Sequence, residues 1–332
     1  MADNCILITG AAGFIGSHCV VALAEAGYNV IAMENSKSTN NLAFQQINKI
    51  LGWEVKTCRC DLLNYEEIVK IFERYKITTV IHLAAMKGVS ESMNYPIECY
   101  RKNLVSTLNL LEVMRLYGVK NLIFSSSCAI YGNQVQMPVA ETALPHSISN
   151  VYGKSKLFIE KILSDLSRSD KEFKITILRY FNPVGAHSSG LIGEDPKRKQ
   201  ISFLTLLGKA ALDKEMNLSL FGSSNIRDFV HVMDVGEAHV AAVSNLESGD
   251  SFKVFNIGSG IGISLLQLIK IFEHVNCVKI SYTIKDRQES EIEAIIADTT
   301  LAETDLGWKS RKTVEEMCTD CWKWMTYNAI NF

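Results

Sequence analysis

Six short apolar runs, separated by stretches of helical spacing, limit the fold more than any other property of this chain. The runs are CILITG, YNVIAME, EVKTCRC, TTVIHLAA, NLIFSSS and KITILRYF, and the helical stretches between them include SHCVVALAEAG and YEEIVKIFERYK. A strand that is apolar along its whole length has both faces covered, and strands joined through helices run parallel. The pattern predicts an α/β fold with a doubly wound parallel sheet. After Phe181 the rhythm loosens into the polar loop HSSGLIGEDPKRKQ, the helical SFLTLLGKAALDK, a short LSLFG, DFVHVMDVGEAHVAAV, VFNIGSG and a C-terminal helical run. Helices with few strands predict a smaller second domain over 181–332, set against the carboxyl edge of the sheet in a first domain over 1–180. That boundary is soft, because later segments can return to pack on the first domain.

The first strand runs into Thr9-Gly10-Ala11-Ala12-Gly13-Phe14-Ile15-Gly16, which also opens the first helix. A tight strand-to-helix turn needs a residue without Cβ, and a helix amino end offers free N–H groups and a positive dipole end to a pyrophosphate. Gly10, Gly13 and Gly16 meet those demands. Their GxxGxxG spacing is one residue longer at its start than the Rossmann GxGxxG. A glycine triplet alone is a weak signal, but its place between strand and helix is the correct one for a Rossmann-type domain. The second strand ends at Glu34-Asn35, about 20 residues on, where a carboxylate accepts hydrogen bonds from a ribose diol and repels a 2′-phosphate. NAD is expected rather than NADP. Glu34 taken alone is equally a solvated strand end.

Halfway along the chain stands NVYGKSK, with Tyr152 and Lys156 four residues apart. On a helix this places them on one face, roughly 5–6 Å apart. Such a pair in isolation is more often a solvated face with a tyrosine stem packed on it. A free phenol has a pKa near 10, so acting as a base at neutral pH takes about three units, or about 4 kcal/mol. One cation at ~6 Å in an effective dielectric of ~20 supplies about 2.8 kcal/mol. Lys156 and a second positive charge together cover the shift.

The charge balance of 34 Lys and Arg against 36 Asp and Glu, without a basic block, argues against nucleic acid as a partner. No apolar run reaches the ~18 residues of a membrane span, and the N-terminal MADNCILITG carries no secretory pattern, so no membrane association and a cytoplasmic location are expected. The nine cysteines then read as small buried hydrophobes. Cys58-x-Cys60 alternates like a strand, and Cys318-x-x-Cys321 lies at helical spacing without a second pair, so no metal is expected.

With TGAAGFIGSH, the Asp61-Leu62 pair, HLAAMKGVSES, SSSCAIYG, NVYGKSK, RYFNPVGAH, IGEDP and IRDFVHVMDV in that order, the chain resembles the extended short-chain dehydrogenase/reductase family, in its UDP-hexose 4-epimerase branch. The similarity runs from about Cys5 to Trp324. The resemblance implies an NAD-containing enzyme that interconverts UDP-galactose and UDP-glucose by transient oxidation at C4 of the hexose. It implies a cofactor site of Gly10, Gly13, Phe14, Ile15 and Gly16 at the pyrophosphate turn, Glu34 and Asn35 at the adenosine ribose, and Asp61 and Leu62 beside the adenine. Leu83, Ala84, Lys87, Asn103, Tyr152, Lys156 and Tyr180 would serve the nicotinamide half. Ser127, Tyr152 and Lys156 would form the catalytic group, and the UDP-sugar would meet Lys87, Ser127, Tyr152, Phe181, Asn182, Ser202, Arg227, Arg287 and Glu291. His18, His82 and His231 are kept as packing residues. Family members pair as homodimers through the helices that correspond here to YPIECYRKNLVSTLNLLEVMRLYG and YGKSKLFIEKILSDL.

Related dehydratases carry an Asp-Glu pair beside the catalytic hydroxyl, where this chain has Cys128-Ala129-Ile130, which favours simple epimerisation. The sugar-nucleotide half departs further from the family. Ile201 and Ser202 stand where two asparagines are common, Gln288 stands for a diphosphate-binding arginine, and the loop before Arg227 is short. Loss of one charge-assisted contact weakens diphosphate binding by roughly 1.5–3 kcal/mol. Ile295 falls where the family sets tolerance for an N-acetyl group. Two alternatives stay open: another NAD-dependent nucleotide-sugar epimerase or decarboxylase, and a catalytically weak NAD-bound regulatory relative.

Overall fold

In the computed structural model the described residues are 4–35, 41–134, 136–221, 225–246, 250–285 and 293–331. Arg287, Gln288 and Glu291 lie outside them.

The first half follows the expected alternation: β1 (Cys5–Thr9), α1 (Phe14–Glu25), β2 (Val30–Glu34), α2 (Asn41–Leu51), β3 (Lys56–Arg59), α3 (Tyr65–Arg74), β4 (Ile77–His82), α4 (Val89–Asn94), α5 (Pro96–Tyr100), α6 (Ser106–Leu116), β5 (Asn121–Ser127), α7 (Val151–Ser169) and β6 (Lys174–Tyr180). The second half holds β7 (Asn182–Val184), α8 (Phe203–Leu212), β8 (Asn217–Phe221), β9 (Ile226–His231), α9 (Val232–Asn245), β10 (Phe252–Ile257), β11 (Gly262–Ser264), α10 (Leu265–Asn276), β12 (Ser281–Lys285), β13 (Ala294–Ile295), α11 (Thr300–Thr304) and α12 (Val314–Asn331).

Among the described residues seven strands form one parallel sheet in the order β10-β6-β5-β4-β1-β2-β3. The side-chain period of two sends Ile6 and Ile8 of β1 into one apolar layer with α1 and α9, and Cys5 and Leu7 into the opposite layer with α3, α6 and α7. The chain leaves β1 toward β2 on one side and reaches β4 on the other. The crevice at their carboxyl ends is therefore the topological switch point, where ligands of open α/β sheets bind.

VFNIGSG supplies β10, which joins the edge of this sheet beside β6, and α9 packs on α1 with Gly236 so close that a Cβ there would meet Ala22 Cβ at 3.0 Å. The rest of the second half holds more strands than its sequence rhythm suggests. β9 pairs with β7, β11 and β13, and β12 pairs with β8. Segments such as NPV, GIS and AI are two or three residues long, too short to show a period. Asp228, fully buried on β9, accepts hydrogen bonds from the N–H groups of Ser259 (2.7 Å), Gly260 (3.0 Å) and Ala297 (3.0 Å) and from the Ser259 hydroxyl (2.7 Å). It gathers the turn after β10 and the strand-like segment after β13 onto β9.

A second buried carboxylate locks α7 to the sheet. Arg179 on β6 grips Glu160 through Nε (3.1 Å) and Nη2 (2.7 Å), and the Ser126 hydroxyl donates to the same carboxylate at 2.5 Å. Removing one member of a buried pair strands the other charge, at a cost of about 3–5 kcal/mol. Arg179→Met should lose that amount in urea unfolding, and Arg179→Met with Glu160→Met should recover most of it. Equal losses in the single and double variants would show that the pair does not hold α7.

Candidate active site at the switch crevice

The turn after β1 is shaped by contacts that exclude side chains. Gly10 has φ +70°, and a Cβ there would lie 2.9 Å from Ala84 N and Cα, in the loop after β4. At Gly16 a Cβ would lie 2.1 Å from the Gly10 carbonyl oxygen. Gly13 caps α1 without a side chain, and the first turn of the helix holds no acidic residue. The amino end of α1 thus faces the crevice with its dipole uncompensated, a cradle suited to a pyrophosphate. Phe14 is buried at the start of α1 and Ile15 partly so. Leu83 and Ala84 are fixed by N–H donation to Thr9 Oγ1 at 3.2 and 3.1 Å.

At the end of β2 the Glu34 carboxylate accepts from Ala12 N at 3.0 Å and from Asn35 N at 2.9 Å, which ties the strand end to the glycine turn. Beyond it opens a cavity of about 600 Å³ whose lining includes Asn35, Asp61, Arg59 and Arg101. Asp61 braces its own loop by accepting from Leu63 N (3.0 Å), and the Leu62 carbonyl accepts from Asn109 Nδ2 (3.0 Å). The two arginines went unnoticed in the sequence, because a strand-end arginine and a helical arginine both read as solvated.

The other end of the crevice is built on β5 and α7. Asn150 caps α7 by accepting from Gly153 N at 2.7 Å, and Gly153 sits where a Cβ would be 2.7 Å from the Ala129 carbonyl oxygen. That close approach presses the start of α7 against the turn after Ser127. The Ser127 hydroxyl caps this turn by accepting from Ala129 N at 3.2 Å, and it lies near enough to the Tyr152 phenol to favour its ionised form. Lys156 lies 5.9 Å from the centre of the Tyr152 ring, as the helical spacing predicts. Its ammonium donates to the Ser125 carbonyl oxygen at 2.6 Å and sits 4.6 Å from the centre of the Phe124 ring. The Ser92 hydroxyl accepts from Tyr152 N at 3.1 Å.

Asn103 is buried inside a π-helical turn, 101–105, between α5 and α6. Its carboxamide accepts from Met86 N (2.8 Å) and donates to the Met86 carbonyl oxygen (3.2 Å) and Ser155 Oγ (2.9 Å). The residue stitches the loop after β4 to the catalytic helix. A π-bulge at such a place re-aims a side chain that regular helix would point elsewhere. The Tyr180 hydroxyl meets His239 Nε2 at 2.8 Å in the layer under the crevice. Phe181 is buried with its ring centre 6.3 Å from that of Tyr131, in a cluster that also holds Ile295.

On the second-half wall, Asn182 donates to the Asp228 carbonyl oxygen at 2.8 Å and Arg227 to the Ile226 carbonyl oxygen at 2.8 Å. Ser202 caps α8, its hydroxyl engaging Thr205 N (3.3 Å) and Thr205 Oγ1 (3.0 Å). The hydroxyl that stands in place of an asparagine carboxamide is thus committed to its own helix. His82 is held between Thr9 Oγ1 (2.8 Å) and Thr107 Oγ1 (2.9 Å), and burial drives His18 and His82 down to about 3, so both are neutral packing groups.

Burial adds a contribution that the pairwise charge estimate omits. Burial pushes the Tyr152 phenol well above its ordinary value, against the lowering influence of the nearby Ser127 hydroxyl. Burial also brings Lys156 down to about 7, against the raising influence of Glu160. Lys156 alone therefore does not activate Tyr152, because desolvation of the phenolate exceeds the attraction of one nearby ammonium.

The shift on Lys156 has a stability sign. An unfolded lysine keeps its proton up to ~10.4, so between that value and the folded value the unfolded chain binds the extra proton, and stability rises with pH. The contribution is complete above the unfolded pKa and is lost as pH falls through about 7. Urea unfolding of the cofactor-free protein should gain roughly 1 kcal/mol per pH unit between pH ~7.5 and ~9.5 from this group, and Lys156→Met should lack that slope. An identical slope in the variant would contradict the assignment.

Residues 6–258 match the model of the NAD dependent epimerase/dehydratase family. A UDP-glucose 4-epimerase of Yersinia enterocolitica is 42% identical over 334 residues, covering 98% of this chain and 99% of its own. The human UDP-glucose 4-epimerase is 36% identical over 340 residues, 98% of each. The crystal structure of UDP-glucose 4-epimerase from Bifidobacterium longum in complex with NAD+ and UDP superimposes with TM-score 0.93 at 38% identity, over 99% of this chain and 100% of that one. UDP-glucose-4-epimerase from Stenotrophomonas maltophila, with bound NAD and formylated UDP-arabinopyranose, gives TM-score 0.95 at 35% identity over 98% and 99%.

Proposed function

The chain belongs to the NAD dependent epimerase/dehydratase family, and from that premise we propose that it is a UDP-glucose 4-epimerase, interconverting UDP-galactose and UDP-glucose with NAD. The observation that carries the reading is one cluster at the switch crevice: the Tyr152 phenol beside the Ser127 hydroxyl, the Lys156 amine 5.9 Å from the centre of its ring, and the Gly10 turn across the crevice.

NAD, when bound, would supply a reversible hydride acceptor and a positive charge. The residues do the rest. Gly10, Gly13 and Gly16 let the backbone approach the pyrophosphate, while Phe14, Ile15, Leu83 and Ala84 form the walls of that cradle. Glu34 and Asn35 serve the adenosine ribose, and Asp61 and Leu62 the adenine. Lys156 hydrogen-bonds the nicotinamide ribose and lends its charge to Tyr152. Tyr152 takes the proton of the sugar 4-hydroxyl as base, and Ser127 holds that hydroxyl in line. Once the 4-keto sugar has presented its other face, Tyr152 returns the proton. Electrons and protons balance within the cycle, so no outside oxidant or reductant is consumed. Cys128 and Ala129 follow Ser127, so no acid-base pair stands beside the keto sugar to carry it on to elimination. Lys87, Phe181, Asn182, Ser202 and Arg227 line the sugar-nucleotide side.

We place the protein in the cytoplasm as a homodimer. No helix among the described residues is long and apolar enough to cross a membrane. Val105 and Leu108 at the start of α6 and Phe158 on α7 are exposed, at 39%, 42% and 42%, and a second copy would cover them.

Purified protein given UDP-galactose without added NAD should form UDP-glucose and release NAD on denaturation. Tyr152→Phe should lower kcat by about 10²–10⁴ and leave the NAD content unchanged. Turnover that survives Tyr152→Phe, or none in the wild type supplemented with NAD, would overturn the reading.

A further inference from the structure

Glu194 is 2% exposed and lies in the polar loop before α8, where the sequence suggests a solvated turn. Both of its oxygens are occupied. Oε2 accepts from Ser202 N at 2.6 Å and from Thr205 Oγ1 at 2.9 Å, and Oε1 accepts from Lys87 Nζ at 3.2 Å. Its main chain is equally fixed: the Glu194 carbonyl oxygen accepts from Trp324 Nε1 at 2.8 Å, and a Cβ on Gly193 would lie 2.5 Å from the Trp324 ring. The carboxylate is thus a rigid anchor built by α8 and α12. Burial raises its pKa, but the pull of Lys87 and the bonds from Ser202 and Thr205 prevail, and it is held below the ordinary value.

Lys87 is different. Its side chain is 44% exposed, its ammonium stands 6.0 Å from the centre of the Phe14 ring at the amino end of α1, and its ion pair with Glu194 crosses from the loop after β4 to the second half of the chain. A lysine that open to water chooses among several rotamers unless something fixed takes one of its three donors. Glu194 takes one of them.

We propose that Glu194 is a positioning residue for Lys87, setting where that cation meets the diphosphate and the nicotinamide ribose. The inference rests on the epimerase reading above. Glu194 touches neither cofactor nor sugar; it acts through Lys87. The same carboxylate caps α8 beside Ser202, so the wall that carries the sugar nucleotide and the cation at the cofactor turn share one anchor. A purely structural role for Glu194, as support for α8, predicts a different result in the following cycle.

Glu194→Gln keeps an oxygen for Ser202 N and Thr205 Oγ1 but turns an amide toward Lys87, which releases the ammonium. It should lower kcat/KM for UDP-galactose about tenfold, and in a Lys87→Met background the same change should cost less than about twofold, because two residues that act as one unit are not additive. Thr205→Val, which loosens α8 without touching Lys87, should stay within about twofold of wild type. Equal losses in both backgrounds, or no loss on the wild-type background, would overturn the proposal. If Glu194→Gln does not fold, the cycle is run with Glu194→Asp, which retains charge at the α8 turn and falls short of Lys87; the same outcomes decide. An inactive wild type defeats the epimerase reading, whereas additive losses in an active wild type defeat only this one.

Discussion

A buried ammonium with a backbone carbonyl as its closest hydrogen-bond acceptor is the constraint around which this molecule is arranged. Lys156 is 2% exposed and donates to Ser125 O at 2.6 Å. Burial favours its neutral form and also favours the neutral phenol of Tyr152. The protein by itself therefore stores an unreactive pair, and a further positive charge near the phenol is needed to tip it. Glu160, one turn along α7, raises the lysine, and Arg179 holds Glu160 against the sheet through two hydrogen bonds. The Glu160–Arg179 pair thus has an electrostatic consequence at the crevice besides its mechanical one.

The same economy of contacts shapes the cofactor turn. Gly10 lies against Ala84 because β1 and β4 are neighbours across the switch point, and Thr9 Oγ1 takes both N–H groups of the facing loop. Asn103 then ties that loop to α7 through Met86 and Ser155. The Ser155 hydroxyl in turn donates to the Tyr152 carbonyl oxygen at 2.7 Å, so hydrogen bonds run from the loop facing the pyrophosphate turn to the start of α7.

Much of this was legible in the sequence wherever the signal was local. β1, β2, β4, β5 and β6 coincide with largely apolar runs, because a parallel strand buried on both faces is confined to such a composition, whereas β3, KTCR, is a mostly exposed edge strand. The glycine turn was legible from its place between β1 and α1, and the Tyr152–Lys156 pair from its helical spacing together with the family resemblance. What stayed hidden depends on partners far apart in the chain: Glu194 with Lys87, Asp228 with Ser259 and Ala297, and Arg179 with Glu160. In the sequence each is a charge beside polar neighbours or inside a strand, and only the topology buries it. The desolvation of Tyr152 was hidden for the same reason, since a pairwise Coulomb estimate takes no account of burial, and burial is set by the fold. Ser202 likewise reads as a substitute ligand, while its hydroxyl is drawn to the start of α8.

The central claim is that Tyr152 stays neutral in the protein alone and ionises at neutral pH once NAD is bound. Ultraviolet difference spectroscopy of tyrosinate, comparing NAD-loaded and cofactor-stripped protein with Tyr152→Phe as the reference, tests it directly. The account predicts a single tyrosinate signal in the loaded protein near neutral pH, absent from Tyr152→Phe, and no such signal in the stripped protein until the pH passes the ordinary tyrosine value of about 10. A tyrosinate in the stripped protein at neutral pH, or none in the loaded protein, would contradict it.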